Sequence, residues 1–110
     1  MFEAQYLPAG VSVLSPWFPR QGDFLKATVD LVSRTGSGEI TVEVATKKKE
    51  DPGSGTVVAG QLVSSGIGQD SKQWGPDVLE DLVRYKFTAP IGNWVLFRML
   101  APVWFDAVEA

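Results

Sequence analysis

The stretch FLKATVDLV, residues 24–32, decides the fold, because its apolar and polar residues alternate with a period of two. Successive side chains of a β-strand point to opposite faces of the sheet, so this alternation predicts a strand with one buried and one solvated face. The residues expected on the buried face are Leu25, Ala27, Val29 and Leu31.

Residues 39–46 repeat the pattern, with Ile40, Val42 and Val44 inward. The TGSG segment at residues 35–38 supplies turn residues, so the two strands are predicted to form a β-hairpin. Charge, proline and glycine at residues 47–55 predict an exposed loop that leads into a strand over residues 56–64.

The second half of the chain contains further strand signals. Residues 66–76 are polar and contain glycine, which predicts a connection. Residues 82–88 alternate again and predict a strand, although residues 79–83 are also compatible with one helical turn. Residues 93–108 are apolar on both faces of any strand drawn there, which is typical of a central, covered strand. Pro102 cannot donate to a ladder, so it is expected to divide this stretch or to mark a bulge.

Short strands separated by turn signals, with no long helical pattern, predict an all-β fold. We expect an antiparallel β-sandwich or flattened barrel of about six to eight strands with little or no helix. The 110 residues fit a single domain covering residues 1–110, in which residues 1–14 form an extended amino-terminal arm.

The composition argues against several classes of function. The chain has no cysteine and no histidine, which leaves neither the usual zinc ligands nor the common nucleophile–base pairs. We therefore expect no enzyme activity, no metal and no cofactor. A net charge of -3 offers no general attraction to nucleic acid or to anionic lipid. Neither a classical export signal nor an apolar run long enough to span a membrane is recognisable.

Residues 15–23, SPWFPRQGD, are the first candidate site. Pro16 and Pro19 restrict the backbone around Trp17 and Phe18, which favours a rigid aromatic anchor for a partner or a platform for a sugar ring. The competing interpretation is that Trp17 closes the open end of the sandwich.

Two charged segments are weaker candidates. Lys47, Lys48 and Lys49 stand next to two acidic residues, which favours a solvated loop over a phosphate-binding patch. Asp77, Glu80 and Asp81 match no calcium-loop spacing and are interpreted as a polar connection.

The chain also has more apolar residues than one small core needs, several of them near the termini. Surplus apolar surface is typical of subunit contacts. The residues predicted to form a protein interface are Phe2, Tyr6, Leu7, Trp17, Phe18, Arg20 and Trp74.

Three segments carry a family resemblance: LSPWFPRQGD (residues 14–23), VRYKF (83–87) and FRMLAPVWF (97–105). In these segments, and over its whole length, the chain resembles the small all-β virion proteins of tailed bacteriophages, particularly capsid decoration or cement proteins. The resemblance implies a structural role on the capsid surface, with the major capsid protein and copies of the chain itself as partners.

Two other functions remain open. One is a carbohydrate-binding module in which Trp17, Trp74 or Trp104 stacks on sugar rings. The other is a hydrolase that uses two carboxylates such as Asp77 and Asp81.

Overall fold

The computed structural model describes residues 4–106, which form eleven strands in two antiparallel sheets packed face to face. The predicted β-sandwich is confirmed, and the sheets do not close into a barrel. No helix occurs between residues 4 and 106. The strands are β1 Gln5–Leu7, β2 Ser12–Leu14, β3 Phe18–Pro19, β4 Phe24–Arg34, β5 Ile40–Lys47, β6 Thr56–Val57, β7 Leu62–Ser64, β8 Gly68–Trp74, β9 Leu82–Thr88, β10 Val95–Met99 and β11 Val103–Phe105.

Several short strands share one edge of a longer neighbour. β10 and β11 follow each other along one edge of β4, while β8 takes the other edge. In the same way β2 and β3 share an edge of β9, and β6 and β7 share an edge of β5. Each sheet is therefore four rows wide. The first sheet contains β1, β10 with β11, β4 and β8, and the second contains β2 with β3, β9, β5, and β6 with β7.

The order of these rows identifies the topology. Numbered along the chain, the rows lie in the order 1-8-3-6 in the first sheet and 2-7-4-5 in the second. The rows form four antiparallel pairs, as in one long hairpin wound across both sheets: 1 with 8, 2 with 7, 3 with 6, and 4 with 5. This is the connectivity of a jelly roll, the eight-stranded sandwich built from two Greek keys.

The core lies between the sheets and contains the residues that the alternation predicts. All four inward residues of β4 and all three of β5 are fully buried. Tyr85 and Phe87 from β9 continue this layer, with their ring centroids 5.8 Å apart. Phe87 in turn meets Phe97 from β10, with 5.0 Å between the ring centroids. The period-two pattern thus places one face of each long strand in a common apolar layer.

The predicted hairpin is wrong. β4 lies in the first sheet and β5 in the second, so residues 35–38 carry the chain across the sandwich. Thr35 supports this crossing, because its Oγ1 accepts a hydrogen bond from the amide of Trp94 at 3.0 Å. Alternation specifies only that each strand buries one face, and facing strands of two sheets satisfy that condition as well as paired strands do.

Other segments also differ from the prediction. The predicted connection at residues 66–76 contains the seven-residue strand β8, and the predicted strand at residues 56–64 is two strands, β6 and β7. These are edge strands, held by backbone pairing, so their side chains carry little of the pattern that marks a strand. Interrupted rows raise the count to eleven strands instead of six to eight. Pro102 separates β10 from β11, as expected, and residues 79–81 are not helical.

Candidate interaction surfaces

Trp17 lies against two cations on the outer surface of the second sheet. Its ring centroid is 4.7 Å from Lys47 Nζ and 4.4 Å from Arg84 Cζ. Ser15 fixes the approach of this segment, because its amide donates to the carbonyl of Tyr85 and its Oγ accepts from the amide of Tyr85. Trp17 is half-buried as a result, and it is held by cation–π contacts within the chain.

Phe18 and Arg20 are also engaged inside the domain. Phe18 packs against the core, 5.2 Å from the Tyr85 ring and 6.4 Å from the Trp104 ring. Arg20 donates to the carbonyl oxygens of Gly22 and Leu79 and forms an ion pair with Asp23 at 3.3 Å. Both residues therefore connect β3 to the rest of the sandwich.

The remaining predicted contact residues fall into three groups. Leu7 and Trp74 are each 3% exposed, and Trp74 Nε1 donates to the carbonyl of Gly60 at 3.3 Å, so neither offers side-chain surface in this conformation. Tyr6 is 59% exposed and lies 5.7 Å from the ring of Trp94. Phe2 lies outside the described residues. The six predicted interface residues that the structure describes do not share one exposed surface.

A different apolar surface lies on the outer face of the first sheet. The face of β10 opposite the core carries Leu96, and Trp94 and Leu100 continue it at either end. β11 adds Val103 and Phe105, since Val103 pairs with the outward Lys26 of β4. We call this surface the β10–β11 stripe; it consists of Tyr6, Val32, Trp94, Leu96, Leu100, Val103 and Phe105.

In the described part of the chain the stripe is only partly covered, since Trp94, Leu96 and Leu100 are half-buried and its other members are exposed. Tyr6, Val32, Val103 and Phe105 are 59, 43, 47 and 43% exposed. Val32 is the additional residue of a β-bulge in β4 opposite Leu96, and the bulge places the Val32 side chain on the same outer face as Leu96. Arg98 interrupts the stripe and is neutralised by Asp30, with 2.9 Å between Nε and Oδ2. The sequence pattern predicts cover on both faces of residues 93–108; within the described residues 93–106, the inner face of β10 is buried and its outer face is only partly covered.

The charged segments lie mostly on the surface of the domain. Among residues 4–106, no group of three or more acidic side chains is placed to hold a metal ion. Asp77, Glu80 and Asp81 are exposed, and Asp81 accepts a hydrogen bond from the amide of Lys49 at 3.1 Å. Lys48 and Lys49 lie exposed at the start of the predicted loop.

Comparison with family models, with curated proteins and with solved structures gives no match for this chain. Between residues 4 and 106 the structure contains no helix of the length and apolarity that crossing a membrane requires. The surfaces themselves are therefore the basis for a function.

Proposed function

We propose that this protein is a structural component of a phage shell that decorates or cements the capsid, binding copies of itself and the major capsid protein without catalysing a reaction. The observation that carries the proposal is the β10–β11 stripe. The inward side chains of β10 are fully buried, while the outer face of the same row exposes apolar side chains, among them Val103 and Phe105 at 47 and 43%. Contiguous exposed apolar surface is typical of subunit contacts.

The fold is compatible with this role. Jelly rolls include viral capsid domains and lectins, so the topology favours assembly or sugar binding over most other classes without deciding between them. The tryptophans favour assembly: Trp74 is buried, Trp17 lies against two cations, and Trp104 is half-buried beside Phe18. Repetition over a shell adds many weak contacts together, so each stripe needs only modest affinity.

Replacement of Val103 by lysine tests the stripe. Full burial of a valine contributes roughly 1.5–3 kcal/mol, so covering the exposed half of Val103 contributes about 1 kcal/mol, or about fivefold in affinity. A lysine ammonium facing an apolar contact adds a desolvation cost, so we expect V103K to weaken association by about tenfold or more.

Val63 provides a matched control, because it is 42% exposed against 47% for Val103 and lies on the outer face of the second sheet. Sedimentation velocity over a range of concentrations should show association for the parent and V63K and its loss in V103K. If a major capsid gene lies beside the gene for this chain, cosedimentation with shells assembled from its product measures the second partner. A parent chain that stays monomeric and binds no shell would contradict the proposal.

A further inference from the structure

The outer face of the second sheet contains a pocket of about 400 Å³ that the proposed shell contact does not use. β9 contributes Arg84 and Lys86, β5 contributes Glu43 and Ala45, and apolar walls come from Leu14 and Val57. Leu14 and Val57 are more than half exposed, so the walls are open to a ligand. The volume is within the range of small-molecule sites.

Arg84 is held in place but has an unsatisfied donor. Its guanidinium lies 4.4 Å from the centroid of the Trp17 ring, and its Nε is buried with no hydrogen-bond partner in the described part of the chain. Gly55 lines the pocket and leaves room for Trp17, since a Cβ at this position would come within 3.0 Å of the indole. Trp17 thus backs the pocket and orients the arginine before any ligand arrives.

The strand fixes the backbone spacing between Arg84 and the second cation, Lys86. Arg84 and Lys86 are two residues apart on one face of β9, which places their backbones about 7 Å apart. Neither forms an ion pair with any residue between 4 and 106. Glu43 pairs in register with Lys86 across the ladder. With two cations and one carboxylate, the lining carries one surplus positive charge, in a chain whose net charge is -3.

We propose that this pocket binds a carboxylate carried on a small apolar body. The planar fork of Arg84 matches the two oxygens of a carboxylate, Lys86 adds a second charge-assisted donor, and Leu14, Ala45 and Val57 contact the apolar part. Glu43 disfavours ligands with more than one negative charge. The free small acid and the acidic side chain of a protein present the same group, and the test distinguishes them.

Calorimetric titration with N-acetyl-L-leucine and with its uncharged amide, N-acetyl-L-leucinamide, tests the site. The parent should bind the acid about tenfold more tightly than the amide, because the amide cannot accept charge-assisted hydrogen bonds from both cations. R84Q should lose about tenfold in affinity for the acid, and E43Q should gain a few-fold. K26Q, which removes a lysine from the first sheet, should match the parent.

A blocked pentapeptide, Ac-Ala-Leu-Glu-Leu-Ala-NH2, and its glutamine counterpart identify the source of the group. Tighter binding of the glutamate peptide than of N-acetyl-L-leucine assigns the pocket to protein side chains, and the reverse order assigns it to free acids. K86Q repeats the test if R84Q is unfolded by circular dichroism. Equal affinity of the parent for acid and amide, no binding of any probe, or unchanged affinity in folded R84Q and K86Q would overturn the proposal.

Discussion

Replacement of Thr46 by valine removes one hydroxyl group that holds the segment before β9 onto β5. Thr46 is 4% exposed, its Oγ1 donates to the carbonyl of Leu82 at 2.9 Å, and the same atom accepts from the amide of Glu80 at 2.7 Å. Valine has nearly the same shape and is equally suited to a strand, so the variant tests the hydrogen bonds with little change in packing.

The magnitude follows from the two bonds. Each intramolecular hydrogen bond contributes about 1 kcal/mol net, so T46V should lose about 2 kcal/mol of unfolding free energy. For a domain of this size that corresponds to a fall in Tm of about 10 °C. T46S keeps the hydroxyl and loses a methyl group, which costs about 1 kcal/mol, or about 5 °C.

Thermal unfolding followed by circular dichroism measures both variants, and amide hydrogen exchange gives a local measurement. In T46V the Glu80 amide should exchange faster than the fall in global stability alone explains, while in T46S it should remain protected. A T46V protein at least as stable as T46S, with the Glu80 amide still protected, would refute the role assigned to the hydroxyl.

Two further perturbations probe backbone and core. Gly55 has φ +77°, and a Cβ there would clash with the carbonyl oxygen of Thr46, so G55A should lower the free energy of unfolding by about 2 kcal/mol or more in chemical denaturation. G66A should be close to neutral, because nothing lies within 4 Å of its added Cβ. Equal stabilities of the two variants would contradict the geometry. Tyr85 Oη is buried without a hydrogen-bond partner among the described residues, so Y85F should be as stable as the parent or more stable. Burial raises the pKa of the Tyr85 phenol above its ordinary value, so the folded state retains this proton where the unfolded chain loses it; stability should fall above about pH 10 by up to about 1.4 kcal/mol per pH unit. Denaturation at pH 9 and pH 11 measures this fall in unfolding free energy, and the part due to Tyr85 should disappear in Y85F and remain in Y6F. A fall of unchanged size in Y85F would assign it to other groups.

The sequence predicts the interior of this fold well, because burial on one face imposes a period of two on β4, β5 and β9. It does not predict which strands pair. β4 and β5 are separated by a short turn and look like a hairpin, yet they face each other across the core. β8 is missed for a related reason: backbone pairing with β4 holds it at an edge, where polar side chains such as Asp70 and Gln73 have no face to bury.

The candidate surfaces show the same limit. Trp17 stands out in the sequence as an aromatic between prolines, but only the structure shows that it lies against Arg84 and Lys47. The apolar run at residues 93–108 is visible in the sequence, but the pattern of a strand covered by its own chain is identical to that of a strand covered by a partner. Leu96 and Val103 differ from core residues only in that no second sheet among residues 4–106 packs over the face on which they lie.

The two proposed surfaces lie on opposite outer faces of the sandwich, and this separation makes their behaviour in combination informative. If the stripe binds a second copy through its own stripe, the contact is isologous and closes at a dimer. In that case V103K should abolish association without changing the affinity for N-acetyl-L-leucine, and R84Q should leave association intact. If the stripe of one copy instead contacts the pocket face of the next, the contact is heterologous, and R84Q should weaken association as well as carboxylate binding. A heterologous contact produces rings or extended arrays, whereas an isologous contact stops at the dimer, so the size of the assembly separates the two cases.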